Sequence, residues 1–291
     1  MIKKSKCYLC GNSKFDLVHR GVRGDKEARV LYCHNCGLVQ LDRIIGDIDE
    51  FYQNSGMRGF DPVAKQINEE TSVSFDDDNR RFNLIKNMIE NKKYMDFGCG
   101  HGGVLSRARQ KTGELYAVEP EDNMRNNIVG GVVSFSSITE ARKELHEKMD
   151  VISLFHVLEH LEDPIDILCQ LKDIMSDDGR IIIEVPNADD ALLSLSNNRQ
   201  YADFTYWICH PFYFTNETLR KIAEKAGLKV QFLQQVQRYP LSNHLFWLVN
   251  GKSGGHSKWS FLSDEKLDDA YGKKLATLGI ADTIYAELRK K

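Results

Sequence analysis

Proline is scarce in this chain, 6 residues among 291 against 21 glycines, which excludes a collagen-like sequence. An unbroken run of some twenty apolar residues, the length of a membrane span, is missing as well. The basic start Met-Ile-Lys-Lys-Ser-Lys-Cys leads into no apolar stretch, so no signal peptide is expected. The protein is therefore expected in the cytoplasm with its thiols reduced. An excess of one charge is also lacking: 39 Lys and Arg face 42 Asp and Glu, a net −3. That balance gives no reason to expect nucleic acid as the main partner. What remains is a chain 42% hydrophobic and 28% charged, too apolar for disorder and too evenly mixed for a coiled coil. Its length allows one large domain or two unequal ones around a sizeable core.

Four of the seven cysteines form two near-copies of one turn, Cys7-Tyr-Leu-Cys10-Gly11 and Cys33-His-Asn-Cys36-Gly37. Paired Cys-x2-Cys turns bring four thiolates to the corners of a tetrahedron, the geometry zinc prefers. Glycine after each second cysteine permits positive φ and frees backbone amides to face the sulfurs. Phe15–His19 and Arg29–Tyr32 read as the strands of a ribbon between the turns. With all four positions filled by Cys7, Cys10, Cys33 and Cys36, the expected Zn2+ is structural, and His34 is an exposed neighbour rather than a ligand. Cys99, Cys169 and Cys209 stand alone.

The ribbon is expected to occupy residues 1–42 and a polar helical connector 43–92, with Asp76-Asp-Asp78 at a helix N-terminus. From residue 93 short apolar runs alternate with amphipathic stretches, the pattern of an α/β domain with a mainly parallel sheet. Strands are expected at Tyr94–Phe97, Leu115–Val118, Val132–Phe135, Val151–Phe155 and Arg180–Val185, with Lys229–Leu233 and His244–Val249 closing the sheet. A helix capped by Thr215 should end at Gly227. The core is thus read as residues 93–250, and 251–291 as a loop followed by surface helices.

Lys93-Tyr-Met-Asp96-Phe-Gly98-Cys99-Gly100-His-Gly102-Gly103 reads as a strand, a glycine-rich turn and a helix, where a ligand can approach backbone at the carboxyl edge of an open sheet. Glycines 98, 100 and 103 also satisfy Gly-x-Gly-x-x-Gly, so a dinucleotide site is the alternative. Asp96 would repel a pyrophosphate but suits a cationic ligand. Glu119 ends the next strand, where a carboxylate can grip both ribose hydroxyls. Further on stand Asp150-Val-Ile-Ser-Leu-Phe-His-Val-Leu-Glu-His-Leu-Glu-Asp-Pro and Asp178-Gly-Arg-Ile-Ile-Ile-Glu-Val-Pro-Asn.

Taken in order from residue 93 to about 249, these segments resemble the class I S-adenosylmethionine-dependent methyltransferases. The resemblance implies a Rossmann-like seven-stranded sheet, its last strand antiparallel, beside the small N-terminal zinc ribbon. It implies S-adenosyl-L-methionine as cofactor, with Asp96 near the methionine ammonium and the turn Gly98, Cys99, Gly100 and Gly102 making room. Glu119 would hold the ribose, Ser136 and Ser137 would flank the adenine, and Phe155 and His156 would line the sulfonium region. His156-Val-Leu-Glu159-His160 also spells the inverted zinc-protease motif. The first His follows directly on an apolar strand and no separate third ligand is suggested, so His160 is read as a packed helix residue.

An acceptor hydroxyl or carbon acid must lose its proton, and a His or carboxylate is the expected base. His210, in Cys209-His210-Pro211-Phe-Tyr-Phe-Thr215, leads the candidates, with His156, His244 and Tyr52 behind it. A four-cysteine ribbon ahead of such a core is similar to the nucleotide-sugar C-methyltransferases of bacterial deoxysugar pathways. That resemblance implies His210 as base and Tyr52 beside it. Cys209 stands where that family has Glu, and its C-terminal α/β domain finds no counterpart. The expectation is therefore O-methylation of a small-molecule acceptor, a sugar or nucleotide-linked sugar. The alternatives are a ribosomal RNA methyltransferase, using the ribbon with Lys3, Lys4, Lys6, Arg20, Arg23, Lys26 and Arg29, and a catalytically silent interaction protein.

Overall fold

A computed structural model describes residues 2–46, 72–128 and 130–291. Tyr52 and residues 47–71 of the expected connector lie outside them. The N-terminal part contains β1 (Ile2–Lys3), β2 (Phe15–Val22), β3 (Asp25–Cys33), β4 (Val39–Leu41) and β5 (Arg43–Ile44). Each Cys-x2-Cys turn closes as the sequence implies. Gly11 and Gly37 take φ of +72° and +81°, and their N–H groups donate to the carbonyls of Cys7 and Cys33 at 2.8 and 2.9 Å.

Beyond the helix Ser72–Ile85 come β6 (Lys93–Phe97), β7 (Glu114–Val118), β8 (Val133–Phe135), β9 (Met149–Phe155) and β10 (Met175–Pro186). The short β11 (Phe212–Tyr213), β12 (Leu228–Val236) and β13 (Thr283–Lys290) follow. The main sheet has seven strands in the order β12-β13-β10-β9-β6-β7-β8. Strand β13 runs antiparallel to both its neighbours, while β7-β6-β9-β10 pair parallel. The sheet is covered on both faces, which is why β9 and β10 carry apolar residues on both sides, as in Val151–Ile152 and Ile181–Ile183. Ile181, Ile183 and Val185 enter one buried cluster and Ile182 the other, the two-residue period of a strand.

Two local readings need correction. His244–Val249 is not the closing strand; it lies in the helix Leu241–Asn250, which Pro240 precedes and left-handed Gly251 (φ +60°) ends. The apolar run suits either state, and these punctuating residues select the helix. The antiparallel strand is instead Thr283–Lys290, inside the stretch 251–291 read as loop and helices. Ile284, Ala286 and Leu288 pack on one face of it and Tyr285 on the other. Glu287, paired with Arg289 at 2.7 Å, interrupts the apolar run that would have revealed it. Second, Asp77 and Asp78 lie within the helix Ser72–Ile85 rather than at its start, and Asp77 pairs with Arg80 and Arg238.

Strand β11 leaves the main domain to pair with β4, giving a four-stranded sheet β11-β4-β3-β2. Cys7, Leu9, Cys33, Cys36 and Leu38 share one buried cluster with Ile152, Ile183 and Phe212. The ribbon and the main sheet therefore share a core. The helix Asn216–Lys225 starts at Thr215 with a capping box, as its sequence predicts, and Gly227 follows it at φ +74°.

Candidate active site

A cavity of about 380 Å³ opens at the carboxyl ends of β6, β7, β8 and β9, and the described residues lining it fall between Phe97 and Ile167. Its entrance is shaped by the glycine turn. Gly98 has φ +73°, and a Cβ there would come within 2.5 Å of a Val157 methyl group, so only glycine fits. Gly100 has φ +55° with open space where a Cβ would point. Gly102, at φ +74°, starts the helix Gly103–Ala108 and is not part of the lining.

Glu119 lines the cavity just past β7. Its two oxygens accept the N–H groups of Gly100 at 2.8 Å and Glu121 at 3.0 Å. Burial raises its pKa while those two amides oppose the rise. So held, the carboxylate keeps lone pairs for a ligand's hydroxyls. Ser136 and Ser137 also line the cavity; Ser137 caps the helix Ile138–Glu144, and both the amide and the hydroxyl of Ser136 donate to Glu140 at 2.6 Å.

Asp96 lies behind the turn, 3% exposed, accepting the Ser153 hydroxyl at 2.6 Å; Tyr94 Oη is 2.7 Å from that same hydroxyl. Burial pushes the Asp96 carboxyl up to about 7. Phe155 and Cys99, expected against the cofactor, instead pack into the second hydrophobic cluster, and the Arg81 guanidinium lies 5.4 Å above the Phe155 ring. The walls that the sequence did not reveal are Phe97, Val118, Met124, Ile138, Val157 and Ile167. An apolar wall has the same composition as a core, so nothing in the sequence set these residues apart.

His156 reaches the cavity from the end of β9 in a left-handed conformation, φ +57°, uncommon for a residue with a Cβ. Its Nδ1 is 3.1 Å from Glu159 Oε1, and its Nε2 is 3.0 Å from Arg238 and 3.3 Å from Glu184. Glu184 is fully buried and also receives Arg80 at 2.8 and 3.0 Å and Arg81 at 2.9 Å. Burial alone would raise its pKa; His156, Arg80 and Arg81 overcome this and hold it well below the usual range.

The base candidates separate in space. His160 lines the cavity, and His210 sits edge-on against it with ring centroids 4.4 Å apart. Burial, then His160 and Arg23, hold His210 well below the usual histidine pKa, so it is neutral. His244 is elsewhere, inside its helix, 2.7 Å from Tyr271 Oη and 3.1 Å from Gln237, with burial lowering its pKa to about 4. His160, read as a packed helix residue, is buried and packs against Trp207 and His210. Leu158–His160 is a single 3-10 turn, and ligand atoms of Glu159, His160 and His210 lie within 4.8 Å of one another. The third partner that the motif lacked in sequence is His210.

In the ribbon, the sulfurs of Cys7, Cys10, Cys33 and Cys36 also lie within 4.8 Å of one another, with Cys7–Cys36 and Cys10–Cys33 each at 3.5 Å. Zinc bonds of roughly 2.3 Å in a tetrahedron need sulfurs just under ~4 Å apart, so the four fit one such ion. His34 is exposed and pairs with Asp16 at 3.0 Å. Much of the basic cluster near the ribbon is engaged internally. Arg29 pairs with Asp42 at 3.0 Å, Arg23 lies 4.1 Å over Trp207, and Lys4 lies 4.9 Å over Phe212.

Comparisons agree with this geometry. The family profile described as a methyltransferase domain matches residues 77–232, more than half of the chain. Among curated proteins, the chain is similar to ubiquinone biosynthesis O-methyltransferases. It is 28% identical to that of Aeromonas salmonicida over 167 residues, covering 52% of this chain and 69% of the relative. It is 28% identical to the Haemophilus ducreyi protein over 123 residues, covering 37% of this chain and 52% of the relative. The chain thus spans only about half the length of several curated relatives it matches. Among solved structures, a SAM-dependent methyltransferase from Archaeoglobus fulgidus aligns with TM-score 0.50 and 22% identity over 73% of this chain and 92% of that one. Magnesium protoporphyrin IX methyltransferase from Synechocystis PCC 6803, with bound SAH, aligns with TM-score 0.51 and 12% identity over 84% and 98%. These structural likenesses show a shared fold. With the family profile, the sheet order and the glycine-lined cavity in agreement, the chain belongs to the methyltransferase-domain family and has the class I methyltransferase fold.

Proposed function

We propose that this chain is an S-adenosylmethionine-dependent methyltransferase that acts on a hydroxyl oxygen of a small-molecule acceptor. The observation that carries the reading is that His156 and His160 line the cavity with the glycine turn, and His210 stands edge-on against His160. Bound in that cavity, S-adenosylmethionine supplies an electrophilic methyl group. Glu119 would accept the ribose hydroxyls, Ser136 and Ser137 would lie beside the adenine, and Asp96 would act on the ammonium through water, being absent from the lining. The imidazoles of His160 and His210 face the place left for the acceptor. His244, with both ring nitrogens in contact and no part in the lining, drops out as base. In the ribbon, zinc would be held by Cys7, Cys10, Cys33 and Cys36 as a structural ion.

The curated relatives are named as O-methyltransferases of ubiquinone biosynthesis, which favours oxygen over carbon as the methylated atom and a phenolic acceptor over a sugar. A phenol also gives up its proton far more readily than a sugar hydroxyl, so it asks less of the neighbouring side chains. The RNA alternative loses support because Arg23, Arg29 and Lys4 are engaged within the protein.

The test is release of S-adenosylhomocysteine over an acceptor panel of dihydroxybenzenes, dihydroxybenzoates and nucleotide sugars, with product analysis. Turnover with an O-methylated phenol is expected. Turnover confined to nucleotide sugars, with a new C–CH3 bond, would overturn the reading.

A further inference from the structure

We infer that Glu159, His160 and His210 form a binding site for one divalent transition-metal cation, open toward the acceptor side of the cavity. The inference deepens the proposed O-methylation and rests on the acceptor lying at that end of the cavity.

Four independent features point to an ion. The carboxylate of Glu159 and one ring nitrogen each of His160 and His210 already lie within 4.8 Å of one another, though His210 comes from a loop far along the sequence. Drawing each to roughly 2.1 Å from a common centre needs only small side-chain movements. Glu159 is 1% exposed, and its Oε2 is buried with no hydrogen-bond partner among the described residues. A buried carboxylate oxygen without a donor is costly, and a cation is the most direct way to satisfy it. Its other oxygen, Oε1, is fixed by His156 Nδ1 at 3.1 Å, so the carboxylate cannot turn away.

His160 carries the pattern expected of a metal ligand. Its Nδ1 lies 3.0 Å from the Cys209 carbonyl, the contact that places the proton on Nδ1 and leaves Nε2 with a free lone pair. The same carbonyl belongs to the residue preceding His210, so one short segment, Cys209-His210, both orients one imidazole and supplies the next. His156, the first residue of the His-x-x-Glu-His run, is then not a ligand. Its two nitrogens are taken by Glu159 and by Arg238 and Glu184, and it serves as the outer brace of the carboxylate.

Two nitrogens and one carboxylate make a ligand set for borderline cations such as zinc, manganese or ferrous iron. Three protein ligands leave positions open, the mark of a catalytic rather than a structural site, in contrast to the four thiolates of the ribbon. Because His160 lines the cavity, the open positions face the acceptor. A cation there would bind an acceptor hydroxyl directly and favour its anion, and an acceptor with two adjacent oxygens could chelate it.

Manganese is the probe, since hard Mn2+ takes nitrogen and oxygen ligands and leaves the thiolates of the ribbon alone. Titration of the full-length protein with Mn2+, followed by loss of the free-ion electron paramagnetic resonance signal, should give one site per chain. Glu159→Gln and His210→Ala should each weaken it by more than the roughly 10–100-fold that losing an outer partner costs. The isosteric Glu159→Gln covers the case in which the histidine variant fails to fold. Both variants should keep the ribbon zinc and bind S-adenosylmethionine with native affinity by calorimetry, since neither residue lines the cofactor cavity. Absence of a manganese site in the native protein, or a site that survives both substitutions, would overturn the inference. Loss of S-adenosylmethionine binding in the native protein would instead count against the reading of the cavity.

Discussion

At the scale of single residues, the cofactor side was legible wherever a residue type is tied to a backbone requirement. Gly98 had to be glycine because Val157 leaves no room for a Cβ; Glu119 could be named because it ends a strand where a carboxylate can grip two ribose hydroxyls, and the structure adds the two amides that hold it. Asp96 was recognised as important, but its environment was not. It is a buried acid with a pKa near 7, sharing its oxygen with Ser153. Because the folded pKa lies above that of the unfolded chain, the folded state holds an extra proton between about pH 4 and 7. Stability should therefore fall as pH rises through that window, by up to about 4 kcal/mol from this group, and level off above it. Asp96→Asn removes the ionisation, so urea unfolding midpoints at pH 5 and pH 8 should lie closer together in the variant than in the native protein. An unchanged gap would mean that Asp96 is not the group responsible. The Glu159–His160–His210 cluster was out of reach for a different reason: two of its members are adjacent in sequence, but only the folded chain shows which distant histidine joins them.

At the scale of elements, central strands were easy and the periphery was not. Strands β7, β9 and β10 carry compact apolar runs such as Leu115–Val118, Val151–Ile152 and Ile181–Ile183, which marked them in the sequence; in β13 Glu287 and Arg289 alternate with apolar residues and blur that signal. Invisible from sequence was the seam between ribbon and core. Tyr8, between Cys7 and Cys10, accepts the Ile165 N–H at 2.9 Å and donates to Asp163, which caps the helix Pro164–Ile174. Asp163, on the cavity wall, is thus held by a ribbon residue. Tyr8→Phe should leave the Ile165 amide unpaired, cost about 1–3 kcal/mol in thermal or urea unfolding, and weaken S-adenosylmethionine binding without removing zinc. If the variant loses stability but binds the cofactor as the native protein does, the ribbon does not support that wall.

At the scale of the whole molecule, the sheet is held together by a strand from the far end of the described sequence. Strand β13 lies between β10 and β12 with antiparallel pairing on both sides, and Ile284, Ala286 and Leu288 are fully buried. Ending the chain before Thr283 would open two ladder edges and uncover those neighbours. The shortened protein should collect in the insoluble fraction or scatter light at concentrations where the full chain is clear. A soluble, cofactor-binding product would show that β12 can close on β10 unaided. The same placement sets an order of assembly. The described residues lining the cofactor cavity all come before residue 168, so the contacts they make are complete in sequence long before β12 meets its neighbour. The gap between β10 and β12 must wait for a partner separated from β12 by three further helices, a closure whose entropy is settled late. The cofactor half can thus nucleate early, while the seam beside it is sealed last and is the first to part when the protein is stressed.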